Sequence, residues 1–255
     1  MLYERRWRIV ALGTKIEWTE ATWNPVTGCS KYSDGCKNCY AECLALRLQA
    51  MGNPKYRNGF KLTLHPQSLK EPLSWKKPHM IFVPSMGDLF HEDVPVEFIK
   101  KVFDTMNKAY WHIFQVLTKR AERLAEVAKE LPWPPNVWAG VTVESVKYTY
   151  RISLLRKVPA KIRFLSLEPL LSDMPSLDLT GINWVIVGGE SGPGARPMQP
   201  VWVRHVRDQC KMQGVKFFFK QWGGVRRRKS GRIFEGRTWN EMPSITSAQP
   251  TLGMF

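Results

Sequence analysis

Nothing in this 255-residue chain approaches the run of about 18 apolar residues that a bilayer-spanning helix needs, so no membrane segment is expected. The opening Met1-Leu-Tyr-Glu-Arg-Arg-Trp-Arg-Ile-Val10 has neither the apolar core nor the cleavage pattern of a secretory signal. Acid is scarce: 22 Asp and Glu face 38 Lys and Arg, a net charge of +16. Such an excess attracts polyanions, which puts nucleic acid first among macromolecular partners. Histidine is rarer still, five in all, and none falls in His-x-x-His or His-Glu-x-x-His spacing. His65 and His91 are expected in loops, as surface or hydrogen-bonded residues. The five cysteines are not spread as a disulfide framework would be. A cytoplasmic protein with reduced thiols is the expectation.

Three of those five cysteines fall within eleven residues, in Gly28-Cys-Ser-Lys-Tyr-Ser-Asp-Gly-Cys-Lys-Asn-Cys-Tyr40. A polar loop carrying Gly28, Asp34 and Gly35 lets Cys29, Cys36 and Cys39 turn toward one point. Thiolates so grouped bind either Zn²⁺, with a fourth ligand, or an iron–sulfur cluster with one iron left open. Spacing alone leaves both readings standing. Cys43, one helical turn past Cys39, is the fourth ligand that zinc would recruit, and otherwise a small packing residue. Cys210 is expected in the core, facing the barrel. Trp18 and Trp23 flank the loop and are placed to shield it from water.

The rest of the chain alternates β-rich runs with helical spacing. Strands are expected over 16–19, 80–84, 112–117, 137–143, 161–167, 184–189 and 215–219, and helices over 40–51, 95–109, 120–130, 145–157 and 201–213. Several strands are continuous Val/Ile/Phe/Leu runs, as when both faces of a parallel sheet are buried. Polar or charged groups follow strand after strand: Ser85, Gly87 and Asp88; Thr118, Lys119 and Arg120; Thr142 and Glu144; Ser166 and Glu168; Gly188, Gly189 and Glu190; Lys220 and Gln221. That distribution suits a barrel mouth, whereas an open doubly wound sheet concentrates such groups at one switch point. The predicted fold is therefore α/β, an incomplete (β/α) barrel of six to seven parallel strands. It spans residues 1–224, with a basic insertion at 52–79, and residues 225–255 form a basic C-terminal extension.

A cysteine trio in the loop after the first strand of a parallel barrel resembles the radical S-adenosylmethionine superfamily. The common spacing there is C-x3-C-x2-C; the first gap here is longer, and Tyr40 follows the third cysteine where an aromatic residue commonly precedes it. Further motifs run in order from Thr14 to about residue 243: the segment from Thr14 to Pro25, Val83-Pro-Ser-Met-Gly-Asp-Leu-Phe90, Leu117-Thr-Lys-Arg120, Ser166-Leu-Glu-Pro-Leu170, Val187-Gly-Gly-Glu-Ser-Gly192, Phe219-Lys-Gln-Trp-Gly223 and Glu235-Gly-Arg-Thr-Trp239. Together they resemble the phage-associated radical-SAM-like family named after phage gene products. The resemblance implies a [4Fe–4S] cluster on Cys29, Cys36 and Cys39, with S-adenosylmethionine chelating the open iron and reduction yielding a 5′-deoxyadenosyl radical. It further implies that Ser85 and Asp88 meet the methionine amino group and that Thr142 or Glu144 meets the ribose. Glu168, Gly188, Gly189 and Glu190 then hold the carboxylate, the adenosine or the substrate. The resemblance names neither a catalytic residue nor a substrate, and an electron donor is required.

Basic residues gather in two places. The insertion carries Lys55, Arg57, Lys61, Lys70, Lys76 and Lys77, and the stretch 220–237 carries Lys220, Arg226, Arg227, Arg228, Lys229, Arg232 and Arg237. Interleaved Tyr56, Phe60, Trp75, Trp222 and Trp239 offer faces on which bases stack. A radical enzyme acting on nucleic acid, by base repair or modification, is the leading expectation. Radical modification of a peptide or partner protein, and a zinc-bound nucleic-acid-binding protein without radical chemistry, are the alternatives.

Overall fold

Alternation of side chains along each strand decides the architecture. In the computed structural model, which describes residues 13–225 and 231–244, seven parallel strands form one curled sheet. Its order follows the chain: β1 (Ala21–Thr22), β4 (Met80–Val83), β5 (Ile113–Thr118), β6 (Val137–Thr142), β7 (Arg163–Leu167), β8 (Trp184–Gly188) and β9 (Lys216–Gln221). Two more short strands, β2 (Val26–Thr27) and β3 (Thr63–Leu64), pair antiparallel beside it and tie the basic insertion to the cysteine loop. Consecutive parallel strands need crossover connections, supplied by α2 (Val96–Lys108), α3 (Ala121–Val127), α4 (Tyr150–Arg156) and α5 (Pro200–Met212). A further helix, α1 (Tyr40–Ala50), starts directly after the cysteine trio. This is the incomplete α/β barrel expected from the sequence.

Val137, Ala139 and Val141 on β6 join the outer core with Leu165, Leu167, Val185 and Val187 of the next two strands. To the same core belongs the buried stripe of α2, namely Phe98, Ile99, Val102, Phe103 and Met106, whose three- and four-residue spacing marks an amphipathic helix. Each such side chain withdrawn from water stabilises the layer by about 1.5–3 kcal/mol. The alternate positions fill the concave face with rings. Trp18, Phe82, Trp138, Phe164, Trp184 and Phe218 form a second cluster, with Trp18–Phe82 centroids 4.8 Å apart and Trp184–Phe218 centroids 6.0 Å apart. Room for this plug requires a glycine on β6. A Cβ at Gly140 would lie 2.3 Å from Cζ of Phe164.

Residues 231–244 fold back onto the last strand. Phe219 N donates to Trp239 O at 2.9 Å and Glu241 N to Phe217 O at 3.2 Å, so the exposed edge of β9 is covered. Trp184 Nε1 donates to Glu241 O at 2.8 Å, and Arg237 stacks 3.6 Å from the Trp239 ring. No helix among the described residues is long and apolar enough to cross a membrane.

Four local expectations are corrected. The first strand is Ala21–Thr22 rather than 16–19. Residues 16–19 instead make a turn, in which Thr19 Oγ1 donates to Met80 O at 2.9 Å and Trp18 drops into the plug. The helix expected over 145–157 begins only at Tyr150, after a 3₁₀ turn at Val146–Tyr148. Trp23 lies in the outer layer, its Nε1 donating to Ser68 O at 2.8 Å, and does not shield the cysteines; Trp18 does line their cavity. Cys210 is buried on α5 in the outer layer, away from the barrel interior.

Candidate functional site

Gly28 turns the chain into the cysteine loop. Its φ of +79° is one that side chains disfavour. A Cβ there would also meet Lys61 O at 2.2 Å. Beyond it Cys29, Cys36 and Cys39, all half-buried, face one cavity of about 330 Å³ at the carboxyl ends of the strands. Pockets of this size suit small cofactors. The plug residues Trp18 and Phe82 line its floor, Phe60 of the insertion lines a wall, and Asn38, Tyr40 and Ala41 join the ends of β4 to β9 around the rest. Cys43 points to solvent and takes no part in the lining.

The ends of β5, β6 and β8 reach back to this loop. After β5, Arg120 Nη1 donates to Cys29 Sγ at 3.3 Å and Nη2 to Ser30 Oγ at 2.8 Å. His91 Nε2 lies 2.9 Å from the same Ser30 hydroxyl. After β6, Glu144 accepts a short hydrogen bond from Ser33 Oγ and pairs with Arg151 Nη1 at 2.8 Å, both side chains 0% exposed. Gly35 packs so closely over this acid that a Cβ would lie 2.6 Å from its Cγ. After β8, Glu190 accepts from Asn38 Nδ2 at 3.0 Å and from Arg196 Nε at 2.9 Å, and Arg196 Nη2 donates to Asp34 O at 3.0 Å. Asn38 sits between two of the three cysteines.

The residues named from sequence divide by what they touch. Ser85, Asp88, Thr142, Glu168, Gly189 and Glu190 line the cavity with the three cysteines; Glu144 and Gly188 stand behind its wall. Asp88 is largely committed within the protein: it accepts from Phe90 N at 3.0 Å, Thr118 Oγ1 at 2.7 Å, and Arg120 Nη1 at 3.3 Å. Glu168 accepts from Lys220 Nζ at 2.8 Å. Gly188 makes room for that carboxylate, since a Cβ there would lie 2.5 Å from Glu168 Oε1. Gly189 backs onto Trp222 O, 2.0 Å from where its Cβ would be. Ser85 offers its hydroxyl to Asn24, and its carbonyl accepts from Tyr40 OH at 2.6 Å.

Sequence reasoning did not single out Arg120, Asn38, Arg196, Lys220 or Tyr40 as site residues. Arg120 follows β5 and Lys220 is the penultimate residue of β9, and that position at a strand's carboxyl end is the only signal they carry. Arg226 to Lys229 lie outside the described residues.

Burial favours the neutral thiol at Cys29 and Cys39. Burial pushes the Cys29 thiol up to about 11, Asp88 adds to the rise and Arg120 opposes it. Burial likewise raises Cys39, while the amides of Glu42 and Ala41 at the start of α1 pull it down. Glu190 differs: burial raises its carboxyl, but the bonds from Arg196 and Asn38 outweigh that and leave it below the usual range. A bound cation would compensate the buried thiolates, and metal binding would release their protons. Among the described residues no three His, Cys, Asp or Glu side chains close to the spacing of a single ion. Three thiols around a roomy cavity, with no fourth cysteine among the lining residues, fit a multinuclear cluster that keeps one metal open.

A family model described as "Protein of unknown function (DUF5131)" matches residues 13–243, and the chain belongs to that family. No curated protein matches it in sequence. Solved structures with a related fold include spore photoproduct lyase complexed with dinucleoside spore photoproduct, at TM-score 0.46 and 12% identity, covering 80% of this chain and 64% of that one. A cysteine-to-alanine mutant of that lyase with the same dinucleoside gives 0.48 and 11%, covering 77% and 62%. A double mutant with bound AdoMet and the dinucleoside gives 0.45 and 12%, again covering 77% and 62%. The chain thus spans less than two thirds of the length of these structures.

Proposed function

We propose that this protein is a radical S-adenosylmethionine enzyme in which Cys29, Cys36 and Cys39 hold a [4Fe–4S] cluster and the neighbouring cavity receives S-adenosylmethionine. The observation that carries the reading is that three thiols, and not four, face one cavity at the strand ends. A fully ligated cluster would serve electron transfer only. Bound together, cluster and cofactor supply reductive cleavage of a sulfonium and hydrogen-atom abstraction.

The chain's own residues position and insulate. Trp18 and Phe82 exclude water from below. Ser85, Thr142 and Glu168, with the backbone at Gly189, meet the cofactor. Asp88, Glu144 and Glu190 act through the loops they bind. Lys220 orients the Glu168 carboxylate, which it meets at 2.8 Å.

The proposed substrate is nucleic acid, drawn by the +16 charge and by the basic insertion, whose Phe60 reaches the cavity wall while Arg57 and Lys61 stay exposed. The stretch 220–237 is proposed to join that surface. An electron donor and a cytoplasmic setting complete the proposal.

Anaerobic purification with iron, sulfide and zinc analysis tests it. Four irons per chain, and an EPR signal of the reduced cluster that S-adenosylmethionine perturbs, are expected. Stoichiometric zinc, or cofactor binding without spectral change, would refute it. Affinity for nucleic acid should fall steeply with salt, because each phosphate contact releases counterions. Salt-independent or absent binding would move the substrate to a protein or small molecule.

A further inference from the structure

Arg120 is 2% exposed and directs every nitrogen at the cysteine loop or the loops beside it. Nη1 donates to Cys29 Sγ and to Asp88 Oδ2, each at 3.3 Å. Nε is clasped by both Glu92 oxygens at 3.0 and 2.9 Å, and Nη2 is fixed by Ser30 Oγ at 2.8 Å. The Tyr32 ring lies under the guanidinium at 4.8 Å. A guanidinium keeps its proton under all ordinary conditions. The planar fork, anchored by three other residues, therefore presents a permanent positive charge to one particular sulfur.

We propose that Arg120 sets the reduction potential of the iron–sulfur cluster through its charged hydrogen bond to Cys29. The inference rests on the cluster reading above. Reduction adds one electron from an external donor and makes the cluster one unit more negative, a form that a cation at a ligand sulfur favours. Hydrogen bonds to ligand sulfurs are among the general determinants of cluster potential. Asp88 and Glu92 oppose Arg120, but Glu92 is 55% exposed and solvent screens it. Arg120 is thus a positioning and tuning residue, and its role is read in a potential rather than in a rate.

The test is an EPR-monitored redox titration, with dithionite as reductant, of the anaerobically purified parent and of Arg120→Gln, Arg120→Lys and Glu92→Gln, after iron and sulfide are counted. Arg120→Gln should lower the ratio of reduced to oxidised cluster about tenfold or more at a fixed potential, equivalent to about 59 mV for a one-electron couple. Arg120→Lys should recover part of that loss. Glu92→Gln relieves the guanidinium of an exposed counter-charge and should move the ratio the opposite way, by about two- to threefold. Opposite signs do not arise from a loosened loop. A parent that binds zinc or no iron overturns the cluster reading, and this inference with it. A parent with a cluster whose ratio is unchanged in both neutralised variants overturns the inference alone. If Arg120→Gln holds no cluster, Glu92→Gln decides, and an unchanged or lowered ratio refutes the proposal.

Discussion

Arg151→Met removes the counter-charge of a fully buried acid. Arg151 and Glu144 are both 0% exposed and meet at 2.8 Å, and the same Nη1 donates to Thr142 O at 2.8 Å. Among the described residues its Nε and Nη2 have no hydrogen-bond partner, and the guanidinium lies 4.3 Å from the Tyr148 ring centroid. Methionine keeps the apolar stem but leaves the carboxylate with the Ser33 hydroxyl and with Lys119 Nζ 4.0 Å away. Breaking one side of a buried pair costs about 3–5 kcal/mol. Residual attraction from Lys119 pulls the expectation to the lower end, and the lost contact with Tyr148 adds about 1 kcal/mol to the loss, giving about 4 kcal/mol. For a domain with stability of about 5–15 kcal/mol that is a large share. Urea denaturation of the metal-free parent, Arg151→Met, Glu144→Gln and the double variant measures it. The double variant should recover about 2 kcal/mol of the summed losses, because a neutral glutamine needs no counter-charge. A loss below about 1 kcal/mol in Arg151→Met, or plain additivity in the double variant, would show that the pair is not what holds this part of the cysteine loop.

Gly140→Ala pushes a methyl into the Phe164 ring, with 2.3 Å where van der Waals contact is required, inside a plug that cannot yield. A loss of about 1–3 kcal/mol is expected, seen as a drop of about 2–4 °C in Tm per kcal/mol; an unchanged melt would count against a rigid plug. Burial, then the charges of Lys55 and Arg57, depress the His65 imidazole from 6.5 to about 4. Between those values the unfolded chain binds a proton that the folded one refuses, so stability is full above pH 6.5 and falls by about 3 kcal/mol as pH drops to 4. His65→Gln should flatten that part of the pH profile, and identical slopes in parent and variant would contradict the assignment. Cys36→Ala should abolish iron binding while Cys43→Ala retains it, because only the former faces the cavity. Equal iron loss in both variants would speak against a three-thiol site.

The alternation of apolar runs with amphipathic spacing made the barrel legible, since both signals come from burial, which composition records directly. The grouping of three cysteines was equally plain. What Glu144 and Glu190 do was not. An acid just past a strand reads the same whether it meets a ligand or Ser33 and Asn38 of another loop, because those contacts join residues more than a hundred positions apart. Ala21–Thr22 escaped notice for a different reason: two residues carry no periodicity, and their strand character comes from pairing with Ile81 and Phe82. Gly140 and Phe164 illustrate the same limit, since a missing side chain on one strand gains meaning only from the ring on the next.

The aromatic plug also has a kinetic consequence. With Trp18, Phe82, Trp138, Phe164, Trp184 and Phe218 filling the lower half of the barrel, the cavity is a vessel closed at its base. Two molecules sharing such a vessel must queue. The one seated deeper arrives first and departs last, and the larger one acts as its lid. Under the proposed function, steady-state measurements should accordingly follow a compulsory order, with the small cofactor leading and the polymeric substrate trapping it. Residence times for the small ligand should lengthen whenever the polymer is present.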